Sequence, residues 1–473
     1  MKTKSILSPH SEKEIIQAVH QAQESNRSIH CFSAGFNWGY GTNSAIDNQA
    51  IHLDLSQMNQ IISFDKDLGI LKIEPGVTQG DLQAYLEKNN YDYHVPNNGA
   101  GHRASIMGNA LERGFGIAPL QDHASSILSI RGILSDGSIY ESALKEIDPK
   151  LADCFSWGVG PQLDKMVSQS SWIIVTEMSI QLKKRQECTD IILLTFSEAQ
   201  LGQIILMLQN LMSEMEGSIG SIKIFNRKQV IKNNDSLINR IFFSYDEWFL
   251  TIVIYSHSLT RNSIIKLTKK RIRQFLKAKV SILNSGKIHF LTKLFSLIPG
   301  NESSEHFFKI KDLNEMMNLA RGRTSEVGFK ALDVDFDYLK NDQFDFAKFD
   351  KKLVWFSPIC PLIPARALQL IDLVRTLNVD SEFKFKTYTW TILNQRTLAL
   401  VMPIVYDFDK NENFWEWYKK IHIEMKEKGF IPYRFHNEMM PTLREDLLPH
   451  YYGHVKKFEN AMNPNSLILK GRY

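Results

Sequence analysis

Residues 93–136 read YHVPNNGAGHRASIMGNALERGFGIAPLQDHASSILSIRGILSD, and this segment decides how the rest of the chain is interpreted. It contains too much glycine and proline for a helix interior or a plain strand. Histidines and charged side chains are spread through it, so it is not a low-complexity linker. Long ordered loops of this kind usually wrap a ligand or line a site. We therefore expect a ligand to lie against this segment.

Bulk composition is typical of a soluble globular protein. The 473 residues are enough for two or three domains, and a hydrophobic content of 43% with 23% charged residues is ordinary for a globular protein. The net charge of +4 gives no indication of nucleic-acid binding. Apolar runs are of strand length, which predicts no membrane span, and no signal peptide is evident after the N-terminal lysines. The four cysteines lack CxxC spacing, so we expect no metal site and a cytoplasmic protein.

The N-terminal part alternates helices, strands and glycine loops. Ser11 and Glu14 form a predicted capping box that starts a helix. Short strands are predicted on both sides of the tight glycine loop 34–41, and a hairpin is predicted across Asp136-Gly137. A long apolar strand is expected over 172–182.

The pattern changes near residues 183–187, where glycine becomes less frequent. Two rounds of strand, helix, strands and helix follow, separated by a Lys/Asn-rich span that we expect to be poor in helix. This order predicts an α+β domain with a mostly antiparallel sheet.

The glycine loop 34–41 is the first candidate binding element. No GxGxxG fingerprint, P-loop, HExxH or GxSxG motif occurs in the chain, which argues against a Rossmann domain, a P-loop nucleotide site, a zincin and an α/β-hydrolase. A glycine loop can aim consecutive N–H groups at an anion such as a pyrophosphate. The alternative is a plain tight turn, and further glycine clusters in the same half of the chain favour the binding interpretation.

Several ordered motifs resemble the FAD-binding domain of the vanillyl-alcohol oxidase/p-cresol methylhydroxylase family. They are the loop 33–41, Glu74-Pro75-Gly76-Val77-Thr78, Gly108-Asn109-Ala110-Leu111-Glu112-Arg113-Gly114, Pro119 to Asp122-His123, Gly158-Val159-Gly160-Pro161, Ser168-Gln169-Ser170, Ile174-Val175-Thr176, Asn463-Pro464-Asn465 and Gly471-Arg472-Tyr473. The resemblance is close in the N-terminal third, clear in the tail and weak between them.

The resemblance implies a two-domain flavoenzyme. A p-cresol methylhydroxylase-type FAD-binding domain with two α/β subdomains would occupy 1–185, an α+β cap 186–430, and a segment returning to the FAD domain 431–473. In such enzymes a hydride passes from a substrate carbon to flavin N5. The cofactor would be held by Ala34, Gly35, Phe36, Asn37, Trp38, Gly39, Tyr40, Gly41, Pro96, Asn97, Gly101, Ser105, Gly108, Asn109, Gly114, Asp122, Ile174 and Val175.

Three residues match the positions that bind a phenolate in the phenol-oxidising members: Tyr40, Tyr433 and Arg434. A phenol has a pKa of about 10, and a buried arginine with two hydroxyl donors favours its anion. The alternative is a packing role for Tyr40 and an ion pair between Arg434 and an acid such as Glu438.

The chain also departs from the family pattern. Leu353 stands where some members have a histidine that bonds FAD, and Phe36 stands where bicovalent relatives have another. We therefore expect non-covalent FAD. Asn97 stands where the family has a catalytic aspartate, and His102 is a candidate replacement base, although it could equally meet solvent or phosphate.

Two charged pairs in the same segment have structural alternatives. Glu112-Arg113 is more simply explained as an internal ion pair, and Asp122-His123 either caps a turn or forms hydrogen bonds near the flavin.

The leading hypothesis is hydride transfer from a phenol-like or other aromatic substrate, with dioxygen or an electron-transfer partner as acceptor. The alternatives are oxidation of a non-phenolic metabolite, including oxidative cyclisation, and a flavin-binding pseudoenzyme. We expect a small-molecule substrate, no nucleic acid or membrane partner, and possible homo-oligomers.

Overall fold

The structure is a computed structural model. It describes residues 6–117, 119, 121–226, 248–278, 280–295, 310–326, 353–379, 383, 385, 388–405 and 413–473. The described strands are β1 (Ile6–Leu7), β2 (Ile29–Phe32), β3 (Ile51–Asp54), β4 (Ile61–Asp65), β5 (Ile70–Ile73), β6 (Ile127–Leu134), β7 (Ile139–Glu141), β8 (Ile173–Gln181), β9 (Cys188–Phe196), β10 (Ile219–Asn226), β11 (Trp248–Ser256), β12 (Ser281–Leu283), β13 (Leu353–Phe356), β14 (Pro358–Pro361), β15 (Thr389–Asn394), β16 (Thr397–Val405) and β17 (Ile431–Pro432).

The described helices begin at capping residues that the sequence makes recognisable, such as Ser11 and Thr78. They are α1 (Glu12–Glu24), α2 (Gln79–Lys88), α3 (Ile106–Leu111), α4 (Pro149–Cys154), α5 (Leu201–Glu214), α6 (Ser258–Phe275), α7 (Ser285–Phe295), α8 (Ile310–Ala320), α9 (Pro364–Val379), α10 (Phe414–Glu427), α11 (Met440–Thr442) and α12 (Pro449–Met462).

The N-terminal part contains two sheets that share one apolar layer. Strands β1, β3 and β2 form a parallel sheet, and β4, β5, β8, β6 and β7 form an antiparallel one. Ile133 and Ile174 pack towards α1 and the parallel sheet, whereas Ile130 and Val175 pack in the opposite layer. Strands β6 and β8 are therefore buried on both faces, which explains their near-continuous apolar sequences.

The middle of the chain forms a single large antiparallel sheet. Its strand order is β12, β9, β11, β10, β15, β16, β14 and β17, with β13 also paired to β16. One face packs against α5, α6, α9 and α10 in the largest apolar cluster. On the opposite face, α7 and α8 cover β9 and β11. The predicted α+β class and antiparallel cap sheet are confirmed.

One expectation for this region is wrong. The span after α6 was expected to contain little helix, yet α7 and α8 each have 11 residues. Their apolar faces pack Ile288, Leu313 and Met317 against the sheet. Tertiary burial therefore stabilises helices in a segment whose lysines and asparagines masked the periodic apolar positions.

The last segment connects the two parts. Its first strand, β17, pairs with β14 of the cap sheet, and later Ile468 bridges to Ile29 and packs in the N-terminal core. Near residue 185 the chain leaves the N-terminal antiparallel sheet after β8 and enters the cap sheet at β9. A boundary at 185 remains our proposal, as does a separate segment from 431, whose first two residues extend the cap sheet.

Asn463 fixes the return of the tail. Its amide nitrogen donates to the carbonyls of Ser171 (2.7 Å) and Ile468 (2.9 Å), and its Oδ1 accepts from the Ile468 N–H (3.0 Å). The side chain is buried, so these groups have no solvent to replace their partners.

We expect Asn463→Ala to lower the free energy of unfolding by about 2–4 kcal/mol, because three buried hydrogen bonds each contribute about 1 kcal/mol. Chemical denaturation of the purified protein measures this loss. Asn210→Ala is the control, since the Asn210 amide makes one exposed bond to Leu206 within α5. Equal stability of the two variants would contradict the role of Asn463.

Candidate functional site

A cavity of about 430 Å³ lies where the N-terminal segments, the cap sheet and the tail meet. Most of its walls come from regions that are far apart in sequence: β2 with the glycine loop, residues 98–116, residues 167–175, strands β10, β13, β15 and β16 of the cap, and the tail. The cavity therefore exists only when the cap and the tail are in place. This location is typical of ligand sites between domains.

The glycine loop forms one wall with a conformation that only glycine adopts easily. Gly35, Gly39 and Gly41 have φ values of +69°, +75° and +106°. The backbone N–H groups of Ala34, Gly35 and Asn37 donate to no described group. A row of free N–H groups on a cavity wall suits an anionic pyrophosphate.

Residues 105–108, within the glycine-rich segment 93–136, pack directly against the start of this loop. Ser105 caps α3 by accepting from the Gly108 N–H (2.9 Å), and its hydroxyl donates to the Pro75 carbonyl (2.7 Å). A Cβ at Gly108 would lie 2.5 Å from Ser33 Oγ, so only glycine allows this close approach. A side chain at residue 108 would therefore push α3 away from the start of the glycine loop.

A buried charge cluster forms the wall next to the loop. Glu112 pairs with Arg472 (2.6 Å) and lies 3.7 Å from Arg434. Arg434 also donates to Asn37 Oδ1 (2.5 Å), and its guanidinium carbon lies 4.1 Å from the centre of the Tyr40 ring. These contacts hold the guanidinium against the loop.

Part of that cluster remains available for a ligand. Arg434 Nε, Arg472 Nε and Glu112 Oε2 are buried and have no hydrogen-bond partner among the described residues. Buried polar atoms are normally paired, so unpaired ones on a cavity wall indicate a missing ligand. The residues present therefore fit a cofactor with phosphate, carbonyl and ring nitrogen groups.

Three tyrosines face the same cavity: Tyr40, Tyr433 and Tyr473. Burial raises the pKa of Tyr40 far above its usual value and that of Tyr473 to about 12. The Tyr40 and Tyr473 side chains are therefore neutral hydroxyl groups at physiological pH. Together with Arg434 they can donate to an oxyanion.

The cap wall is one face of the sheet. Cross-strand register places Lys223 opposite Thr391, Phe225 opposite Thr389, and Thr389 opposite Val401. Trp355, opposite Pro403, lies edge-on to Trp38 of the glycine loop at 5.8 Å between ring centres. This wall is mostly apolar and aromatic and carries one lysine.

Twelve of the predicted site residues line the cavity, and the others lie elsewhere. The lining residues are Ala34, Gly35, Phe36, Asn37, Trp38, Tyr40, Ser105, Gly108, Asn109, Val175, Tyr433 and Arg434. Those outside the lining are Gly39, Gly41, Pro96, Asn97, Gly101, His102, Gly114, Asp122 and Ile174.

Asn97 and His102 contact the cap away from the cavity. The Asn97 amide donates to the carbonyls of Leu319 (2.9 Å) and Arg323 (2.7 Å) and is fully buried. His102, a half-exposed residue, contacts Thr324 (3.2 Å) and Glu326 (3.4 Å). In this arrangement both residues connect the N-terminal part to the end of α8.

Other predicted residues have evident structural contacts. A Cβ at Gly39 would lie 2.3 Å from Trp355, and one at Gly41 would lie 2.4 Å from Asn437, so both glycines allow other segments to approach. Asp122 caps a turn by accepting from the Ala124 and Ser125 N–H groups. Ile174 is buried in the N-terminal core.

Some contributors were not anticipated from the sequence. Glu112 was expected to pair with Arg113, but the observed partners are Arg472 and Arg434, because Arg113 is exposed. Lys223 was not singled out, although a lone lysine between isoleucines of an alternating strand is a detectable signal. Arg472 and Arg434 are far from Glu112 in sequence, so no local pattern predicts these two ion pairs.

Within the part of the chain that the structure describes, no helix is both long and apolar enough to cross a membrane. Nor do the residues of that part gather three or more histidine, cysteine or carboxylate side chains that could hold a metal ion.

Known proteins support the flavin interpretation. Residues 3–143 match the family described as FAD binding domain. The chain is 35% identical over 182 residues to 1'-carboxy-chondrochloren decarboxylase of Chondromyces crocatus, covering 38% of this chain and 34% of that protein. It is 31% identical over 155 residues to the 4-cresol dehydrogenase [hydroxylating] flavoprotein subunit of Pseudomonas putida, covering 33% and 30%. The matches thus span about a third of each relative's length.

Solved structures extend the likeness to the whole fold. The chain superposes on p-cresol methylhydroxylase with substrate bound with a TM-score of 0.81 at 19% identity, covering 99% of this chain and 88% of the other. A 4-ethylphenol oxidase from Gulosibacter chungangensis in complex with isoeugenol gives 0.80 at 17%, with the same coverage. The p-cresol methylhydroxylase-type fold predicted from the motifs is confirmed by these structures. The match of residues 3–143 to the FAD binding domain agrees with the family predicted from the motifs.

Four buried histidines make folding sensitive to acid. Burial lowers the pKa of His94, His123 and His422 to about 4 and that of His436 to about 3. In the unfolded chain a histidine titrates near pH 6.5. Their neutral forms therefore stabilise the fold fully above that pH, and the stability is lost as the pH falls from 6.5 towards 4.

We expect the free energy of unfolding to fall between pH 6.5 and pH 4 by about 1.4 kcal/mol per pH unit for each such histidine. His422→Phe should reduce this slope by one histidine's share, because the ring lies among Phe356, Tyr418 and Phe435. Denaturation at several pH values measures it. Exposed His289→Gln is the control, and an unchanged slope in His422→Phe would refute the assignment.

Proposed function

We propose that this protein is a FAD-dependent oxidoreductase that binds a phenolic substrate as its phenolate and oxidises the carbon attached para to the oxygen. The observation that carries the proposal is the convergence of Tyr40, Tyr433 and Arg434 on one cavity wall. Relatives with the same fold are named for 4-cresol and 4-ethylphenol, which are para-alkyl phenols.

FAD would be held by the free N–H groups of the glycine loop and by residues 98–116, and when bound it accepts a hydride from the substrate. The protein's own contribution is positioning and charge. Arg434 is permanently charged and is held by Asn37, Tyr40 and Glu112, so its orientation costs no reorganisation when a substrate binds.

Phenolate binding also accounts for the lack of a free carboxylate. Among the described residues that line the cavity, Glu112 is the acidic one, and it is paired with two arginines. An ionised phenol pushes electron density to its para carbon, so hydride loss needs no base at that carbon. The position of Asn97 outside the cavity lining is consistent with this chemistry.

We propose that FAD binds without a covalent bond. The family resemblance aligns Leu353 with the histidine that bonds FAD in some members. Leu353 is fully buried in β13 and has no nucleophilic atom. Phe36 in the glycine loop likewise offers none. Either dioxygen or a protein partner would reoxidise the flavin; one relative is named a flavoprotein subunit, which favours testing both.

Acid precipitation of the yellow protein should release all of its flavin into the supernatant, because Leu353 and Phe36 cannot bond to it. Absorbance of the supernatant and the pellet measures the partition. Colour retained by the washed, denatured pellet would show a covalent bond and overturn this part of the proposal.

A panel of para-substituted phenols should bleach the flavin under anaerobic conditions, whereas their O-methyl ethers should not. We expect Arg434→Met to weaken phenol binding about tenfold to a hundredfold, since a lost charged hydrogen bond costs about 1.5–3 kcal/mol. Tyr433→Phe should have a smaller effect in the same direction. Stopped-flow absorbance measures both affinity and bleaching rate.

Arg444→Met is the matched control, because Arg444 forms a partly buried pair with Glu459 (2.8 Å) and does not line the cavity. It should destabilise the protein without altering phenol affinity. Unchanged phenol affinity and an unchanged bleaching rate in both Arg434→Met and Tyr433→Phe would refute the proposed phenolate site.

A further inference from the structure

Lys223 is the cation on the cap wall, and its orientation follows from strand alternation. It lies in β10 between Ile222 and Ile224, whose side chains are fully or almost fully buried in the helix-covered core. Side chains alternate along a strand, so Lys223 and Phe225 project from the opposite face. Both residues line the cavity.

The strands beside Lys223 provide hydroxyl groups and no opposing charge. Its partners across the ladders are Thr391 on β15 and Thr251 on β11. The Thr251 hydroxyl donates to the backbone carbonyl of Lys223 (3.3 Å), whereas the Thr391 hydroxyl has no described hydrogen-bond partner. Thr391 also lines the cavity and is mostly buried.

The Lys223 amine has no ion-pair or hydrogen-bond partner among the described residues. Burial alone lowers its pKa to about 8, with no contribution from a nearby carboxylate. Glu112, the acidic residue of the described lining, is already shared by Arg434 and Arg472. Lys223 is half-buried and lines the cavity, so a ligand that fills the cavity covers its ammonium. A covered ammonium without a counter-ion is costly, so a lysine in this position is a candidate binding group.

The cavity therefore has two cationic positions with different surroundings. Arg434 and Arg472 belong to the tail and are clustered around Glu112, next to the tyrosines. Lys223 belongs to the cap sheet, with threonines and aromatic rings around it. A substrate with one anionic group satisfies only the first position.

We propose that Lys223, assisted by the Thr391 hydroxyl, binds a carboxylate on the substrate, so that the substrate is a phenol whose para side chain ends in an acid. This inference rests on the proposed function, because the phenol end is assigned to Tyr40, Tyr433 and Arg434. The carboxylate supplies the missing counter-ion of Lys223, and the threonine hydroxyl donates a second hydrogen bond.

Discrimination against neutral analogues follows from the same physics. An ester or amide of the acid would bury the ammonium without a negative partner, which leaves the desolvation cost unopposed. Loss of one charged hydrogen-bonding partner corresponds to about a tenfold change in affinity or more. The acid should therefore bind more tightly than its methyl ester by at least that factor.

The experiment uses the FAD-loaded full chain and a series of 4-hydroxyphenyl alkanoates with one to three methylene groups, each beside its methyl ester and the matching 4-alkylphenol. Perturbation of the flavin absorbance on anaerobic mixing gives the dissociation constant. The variants are Lys223→Met, Lys223→Arg and Thr391→Val, and exposed Lys266→Met is the control.

At least one acid should bind about tenfold or more tightly than its ester in the unmodified protein and in Lys266→Met. Lys223→Met should abolish that preference, because it weakens acid binding and removes the desolvation cost that esters and alkylphenols pay at the ammonium. Lys223→Arg should restore part of the preference. Thr391→Val should reduce the preference, which keeps the test informative if Lys223→Met does not fold.

The preference should also fade as pH rises through about 8, where Lys223 loses its proton. The flanking strands present Thr251, Phe249, Thr389 and Thr391, none of which titrates in this range. The ester series corrects for ionisation of the phenol.

A preference for the acid that persists in Lys223→Met, or acids that bind no better than their esters, would overturn the carboxylate site. If no phenol perturbs the flavin in any variant, the proposed function itself has failed.

Discussion

The ion-pair cluster of Glu112 with Arg472 and Arg434 is the contact on which the rest of the site depends. It joins the residue that follows α3, the segment after β17 and the end of the chain. A buried carboxylate between two arginines is stable only when all three segments are in place, since a broken buried pair costs about 3–5 kcal/mol. The same contact orients Arg434 over Tyr40 and so builds the wall of the cavity.

In the cap sheet, alternate side chains of strand β10 serve the apolar core and the cavity wall. Ile222 and Ile224 contribute to an apolar core, while Lys223 and Phe225 face the cavity on the same strand. Helices α7 and α8 cover the part of this face over β9 and β11, and β10 next to them contributes Lys223 and Phe225 to the cavity wall. Substitutions at alternate positions of β10 and β15 therefore change the cavity wall without disturbing the core.

Much of the N-terminal site was predictable because its signals are local. The positive φ values of Gly35, Gly39 and Gly41 follow from residues that are adjacent in sequence, and the lining role of Ser105 and Gly108 follows from a short motif. Asn97 and His102 carried equally local signals, yet they meet the cap at Leu319–Glu326. Their partners lie more than two hundred residues away, so no local pattern could identify them.

The sequence alone predicted the α+β class, the glycine loop and an FAD-binding domain, because turns, strand alternation and short motifs are properties of neighbouring residues. The family resemblance singled out Tyr40, Tyr433 and Arg434, and their convergence on one cavity wall is a feature of the tertiary structure. Only the tertiary structure decided that Glu112 pairs with Arg472, that helices form after α6, and that Lys223 faces the cavity beside Thr391. These features depend on which distant surfaces exclude water from one another, and that burial is a property of the assembled fold.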